Sequence, residues 1–113
     1  VFGDVYICSG QSNMKFPVQL VFNSEQEIMD ANNYPYIRVF TAQLEQSNSE
    51  QANLISIMEP WSVANNDSIG NNNWTYFSAV CWFFGKNLYN TLQYPIGLID
   101  TDWGGTPIRD WMS

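Results

Sequence analysis

Val5-Tyr6-Ile7-Cys8-Ser9-Gly10-Gln11-Ser12-Asn13-Met14 runs an apolar, β-branched and aromatic segment straight into a glycine turn. The residues from Val1 to Ser9 read as a buried strand, since the run is short, rich in strand formers and closed by Gly10. The same arrangement returns near the other end of the chain. Pro95 to Ile99 predicts a strand, Asp100-Thr101-Asp102 and Gly104-Gly105 a turn, and Pro107 the first residue of a helix. Between them, Phe77, Val80, Cys81, Phe84, Leu88 and Tyr89 recur at three- and four-residue steps with no proline, which predicts a helix from Phe77 to Leu92 that packs on a sheet. Strands alternating with helices favour an α/β fold built on a parallel sheet.

The remaining segments fit that plan. Ser24 followed by Glu27 is a capping-box pattern and predicts a short helix through Ala31, ended by Asn32-Asn33 and the Tyr34-Pro35 break. Tyr36 to Thr41 reads as another strand. Gln43 to Gln51 is polar and acidic, and Asn65 to Asn73 is Asn-rich, so both read as exposed loops. No internal repeat or domain boundary interrupts residues 1–113, which read as part of one domain.

A chain of 113 residues with 45% hydrophobic and 16% aromatic content has material for a packed core. Its formal net charge of −7 repels phosphate backbones, which argues against a nucleic-acid partner. No run of apolar residues is long enough for membrane insertion. The chain starts at Val1 inside a strand-like segment and stops at Trp111-Met112-Ser113, and so reads as an internal piece of a longer protein. Cys8 and Cys81 lie in apolar surroundings and read as buried thiols, with a disulfide between them left open. Asn66-Asp67-Ser68 and Asn73-Trp74-Thr75 are glycosylation sequons in a polar stretch, which is compatible with a secretory route.

Chemistry concentrates at the two strand ends. Ser12 lies just past the carboxyl end of the first strand, where open α/β sheets place ligand sites. Its hydroxyl can face the crevice and its amide can donate to the oxygen of a tetrahedral intermediate. Gly104-Gly105 leaves amides unobstructed, and that of Gly105 becomes a second donor if the strand ends are neighbours. Taken alone, a serine in an ordinary turn and glycines in a tight connection are the simpler explanation of both segments.

Taken together, the segments resemble the sialate O-acetylesterase family of SGNH-type serine hydrolases. The likeness rests on Gly3-Asp4-Val5 leading to Cys8-Ser9-Gly10-Gln11-Ser12-Asn13-Met14, on Phe77-Ser78-Ala79-Val80-Cys81-Trp82-Phe83-Phe84-Gly85, and on Tyr94-Pro95-Ile96-Gly97-Leu98-Ile99 with Trp103-Gly104-Gly105-Thr106-Pro107-Ile108. It implies a three-layer, flavodoxin-like parallel sheet, incomplete in this chain. It further implies Ser12 as nucleophile, the Ser12 and Gly105 amides as oxyanion donors, and Gln11, Asn13, Gly104 and Trp103 as supporting or substrate-binding positions. The expected substrate is an O-acetylated sialic acid, the reaction needs no metal or organic cofactor, and localisation is lysosomal or secreted. Arg109-Asp110 departs from the Glu-Ala usual in the family before its tryptophan, so a local contact is expected to differ.

A serine hydroxyl needs a base, usually a histidine held by a carboxylate, and this chain has no histidine. The resemblance places the missing Asn and Asp-x-x-His segments beyond Ser113. Ser12-Asn13-Met14-Lys15 also matches Ser-x-x-Lys, with Lys15 as an alternative base. Without the accompanying motifs, Lys15 reads as a solvated surface residue. Asp100 and Asp102 could form a paired-carboxylate glycosidase site but read more simply as solvated loop carboxylates. Trp82-Phe83-Phe84 reads as core, whereas Trp103 fits either a sheet-edge cover or a pocket wall. Two competing functions remain: a non-catalytic glycan-binding module that keeps the fold, and an acetylxylan-type esterase, since related enzymes share the Gly-Gln-Ser-Asn turn.

Overall fold

The computed structural model describes residues 2–71 and 76–112. Four strands form one sheet: β1 (Asp4–Gly10), β2 (Ile37–Ala42), β3 (Ile57–Val63) and β4 (Ile96–Asp102). They lie in the order β1-β4-β2-β3, with β4 parallel to both β1 and β2, and β3 antiparallel to β2. Three of these strands are the expected ones, each shifted by a residue or more. β3 is additional and makes the sheet mixed. Its Pro60 lacks an N–H and weakens any strand reading of the sequence, and edge strands are where such a proline is tolerated. The β2–β3 ladder shifts register between Val39 and Thr41 and again between Thr41 and Ala42.

The helices are α1 (Ser12–Lys15), α2 (Ser24–Asp30), α3 (Asn66–Gly70) and α4 (Ala79–Leu92). α4 is the predicted long helix, capped by Ser78, whose hydroxyl accepts the Cys81 N–H at 3.2 Å. Its buried face is Ala79, Cys81, Trp82 and Gly85, while Val80 and Phe84 are exposed. The expected stripe is therefore rotated. Gly85 explains the rotation: a Cβ there would stand 2.3 Å from Leu98 Cδ1, so the helix approaches β4 along its side-chain-free edge.

The capping box at Ser24 does not form. Asn23 precedes the helix in left-handed backbone without a side-chain cap. Glu27 instead accepts Trp82 Nε1–H at 2.8 Å and pairs with Lys86 at 2.6 Å, tying α2 to α4. The expected loop at Asn65 holds α3, because Asn65 and Ser68 make a reciprocal capping box. In place of the Pro107-started helix is a single 3-10 turn, Ile108–Trp111.

The core lies between the sheet and this helical layer, around Ile37, Val39, Ile96, Leu98, Phe77 and Trp82, all at most 1% exposed. Cys8 and Cys81 are joined as a disulfide with Cα atoms 5.7 Å apart, which corrects the expectation of buried thiols. In register, strand residues beside α4 alternate with those on the other face. On that other face, Val5 and Ile7 are exposed and Trp61 packs toward Gly97. No helix among the described residues is long and apolar enough to cross a membrane.

Candidate active site

The carboxyl ends of β1 and β4 lie side by side, and the Trp103 N–H donates to the Gly10 carbonyl at 2.9 Å. That bond brings the two glycine-bearing turns together. After β1 the chain turns at Gly10, with φ of +155° and only 3.1 Å between an added Cβ and Met14 Cβ, a place that favours glycine. Gln11 follows as the N-cap, and its carbonyl accepts the Lys15 N–H at 2.9 Å to close the single turn of α1. Ser12 is thus the first helical residue, and Gln11, Ser12 and Asn13 are all exposed.

From the β4 side, Gly104 approaches Ser12. A Cβ at Gly104 would lie 3.8 Å from the Ser12 Cα and Cβ. Gly105 is exposed, adopts φ of +80° and has nothing within 4 Å of an added Cβ. Among the described residues, the Ser12 and Gly105 amides donate to no protein acceptor. The turn is held from within: Thr106 Oγ1–H donates to the Trp103 carbonyl at 2.7 Å, and Trp111 Nε1–H donates to Thr106 Oγ1 at 2.8 Å. Trp103 is half-buried and lines a cleft with Trp111, Thr101, Leu54 and Ile55, so its side chain faces a groove beside the Ser12 turn.

Three carboxylates on the face of the sheet that carries Cys8 are buried. Asp100, Asp102 and Glu59 are 3%, 7% and 7% exposed, which overturns the reading of Asp100 and Asp102 as solvated loop residues. Both lie in β4 itself. Asp100 Oδ2 accepts the Ser78 N–H at 2.8 Å. Burial, then the neighbouring Asp102, pushes Asp100 well above the usual carboxylate range, and burial raises Asp102 as well. Glu59 is pushed up to about 7, mainly by burial. Lys15 is half-buried and lines a small cavity with Asp100 and Asp102, so it is not the free surface lysine expected.

The other expected positions lie elsewhere. Asn66 is the half-buried first residue of α3 and donates through Nδ2–H to Asp67 Oδ1 at 2.9 Å, while Asn73 lies outside the described residues. Arg109 and Asp110 form an exposed pair at 3.7 Å, a contact worth little in water. No group of three or more His, Cys, Asp or Glu among the described residues is arranged to hold a metal.

A serine at a strand-to-helix turn, faced by a glycine loop from the next strand, defines an SGNH-type α/β fold. The solved structure of a carbohydrate acetylesterase from Xanthomonas citri matches it with a TM-score of 0.84 and 32% identity, over 98% of this chain and 24% of that one. The chain belongs to the carbohydrate esterase family of sialic acid-specific acetylesterases, whose model matches residues 2–113. Sialate O-acetylesterases of Rattus norvegicus and Homo sapiens are 49% and 44% identical over the whole chain. This chain spans 21% and 22% of their lengths, about a fifth.

Proposed function

We propose that the intact protein hydrolyses O-acetyl esters of sialic acids, with Ser12 as nucleophile. The observation that carries this reading is the juxtaposition of Ser12 with Gly104-Gly105. It leaves two unengaged amides, those of Ser12 and Gly105, at the mouth of the turn. Ser12 Oγ attacks the acetyl carbonyl, the carbonyl oxygen becomes an oxyanion held by these amides, and the sugar alkoxide leaves with a proton. Water then hydrolyses the acetyl-enzyme and regenerates Ser12. The base for both steps is a histidine supplied from outside this chain, since the chain has none. Gln11 and Asn13 flank the nucleophile as supporting residues. Trp103 forms the wall of the cleft that takes the sugar.

Relatives named for sialate esters support that substrate over acetylated plant polysaccharide. We also assign the protein to the secretory route, to lysosomes or the exterior, which the Cys8–Cys81 disulfide supports because such bonds persist in oxidising compartments. Acetate release from O-acetylated sialic acid by the intact protein, with and without Ser12→Ala, tests the function. The variant is expected to lose at least about 10³-fold in kcat. Undiminished release by the variant overturns the role of Ser12.

A further inference from the structure

Beneath the Ser12 turn, Cys8, Asp100, Thr41 and Glu59 form one row across the sheet, each in register with the next. Asp102, two residues beyond Asp100, shares its face. Asp100 and Asp102 line the same small cavity. Asp100 Oδ1 and Asp102 Oδ2 are buried without a protein partner among the described residues. With Lys15, Thr41 and Met58 they line a cavity of about 10 Å³, room for roughly one water. Two bare carboxylates there would repel each other and leave both oxygens unsatisfied. One proton held between them relieves the repulsion and supplies a donor.

We propose that Asp100 and Asp102 share one proton, and that the resulting monoanion positions the Ser12 turn through Ser78 and Lys15. The positioning role rests on the reading of Ser12 as nucleophile. Two paths lead from the pair to the turn. Asp100 accepts the Ser78 N–H, and the Ser78 hydroxyl contacts Met14 Sδ at 3.5 Å, inside α1. The same end of α4 is stitched to the chain after α1, with the Ala79 N–H donating to the Phe16 carbonyl at 2.8 Å and the Val18 N–H to the Phe77 carbonyl at 3.1 Å. The second path is electrostatic: Lys15, the last residue of α1, faces both carboxyl groups. A monoanion balances one ammonium, whereas a dianion leaves an excess charge buried under the turn.

The groups around the pair come from every packed element. They are Lys15 from α1, Ser78 from the α4 cap, Thr41 from β2, and Glu59 of β3 beyond Thr41, with Tyr76 beside Glu59. Lys15 is the one cation among them, and it favours the ionised forms. Burial outweighs it.

The test compares the intact wild type with Asp100→Asn, by melting temperature across pH 5 to 10 and by the pH profiles of kcat and KM for acetate release. Asparagine still accepts the Ser78 N–H and donates an N–H where the shared proton sits, so the variant folds and turns over at neutral pH. A folded pair that keeps a proton the unfolded chain releases loses stability as pH rises. Wild-type melting is therefore expected to fall steadily from pH 5 upward and to level off only once the folded pair has released its proton, and the variant's curve to be flatter. Wild-type kcat is expected to drop about tenfold per unit once the second proton leaves, with KM unchanged, while the variant holds its kcat. Parallel melting curves overturn the shared proton, and superposable kcat profiles overturn the positioning role. If Asp100→Asn does not fold, Asp102→Asn is subjected to the same comparison, with the same outcomes deciding. A wild type that releases no acetate sinks the esterase reading instead, and the melting curves still decide the proton.

Discussion

Gly104 presents its side-chain-free face to Ser12, with an added Cβ only 3.8 Å from the serine Cα and Cβ. A methyl group fits there at ordinary contact distance, so Gly104→Ala is expected to fold with little loss of stability. It fills the space beside Ser12, the proposed nucleophile, and on that reading kcat/KM for acetate release should fall. At Gly105 the balance reverses. Nothing crowds an added Cβ, but φ of +80° strains an L-residue by about 1–2 kcal/mol. Gly105→Ala is expected to tilt the amide and lower kcat by about 10- to 100-fold, less than outright loss of an oxyanion donor. Steady-state kinetics and melting of both variants separate the two effects. Unchanged kcat in Gly105→Ala removes its amide from the oxyanion site.

The disulfide closes a span of 73 residues. In the chain-entropy account such a loop stabilises by about 4 kcal/mol, and removal of native disulfides costs about 2–5 kcal/mol. A Cys8→Ala/Cys81→Ala variant is expected to lose stability on that scale in denaturant titration. Cys8 lies four residues before Ser12 on the strand that delivers it, so activity should fall at temperatures where the variant remains folded. Equal midpoints for variant and wild type would count against the bond.

Glu59 supplies a pH-dependent test. Its carboxyl is raised from 4.5 to about 7, chiefly by burial. The folded state keeps a proton the unfolded chain releases, so this group's contribution to stability is full below about 4.5 and is lost as pH climbs to about 7. Glu59→Gln removes that slope. Its melting temperature relative to wild type is expected to rise between pH 4.5 and 7 and then level off. A difference that does not vary with pH rejects the shift.

Glu27 holds α2 to α4 through both Trp82 Nε1–H and Lys86, and Lys86 also pairs with Asp30 at 2.7 Å. The Glu27 and Lys86 side chains are each 17% exposed, so the contact is largely shielded from water. Glu27→Ala strands a buried indole N–H and is expected to cost about 1–3 kcal/mol. Lys86→Met keeps the indole bond and should cost less. Chemical denaturation of both variants reads the order.

The elements legible in the sequence were those with a local signal. β1 and β4 carry apolar runs that lead into glycine turns, and α4 is marked by its spacing and lack of proline. β3 gave no such signal, because Pro60 interrupts it and its pairing with β2 is set by tertiary contact. α3 was concealed in an Asn-rich stretch whose decisive feature was the three-residue spacing of Asn65 and Ser68, a capping signature that composition masks. At the site, Ser12 and Gly105 were legible as turn residues, and the structure adds the Gly104 contact that joins them. Asp100 and Asp102 were misjudged because acidic residues after a strand ordinarily face solvent. Only the arrival of the α4 cap at Asp100 turns that strand end into an interior. Ser78, three residues before Cys81, carried the helix-cap signal that could have pointed there.

The two edges of the sheet differ in a way that gives it a direction. β3 carries Pro60, short of a donor, and register shifts that break a regular ladder, features that keep exposed edges from recruiting neighbours. β1 has neither device. A strand joining this sheet has an unobstructed seat only alongside β1, which would convert the Ser12-bearing strand from a margin into an interior position, flanked on both sides at the crevice where its hydroxyl emerges.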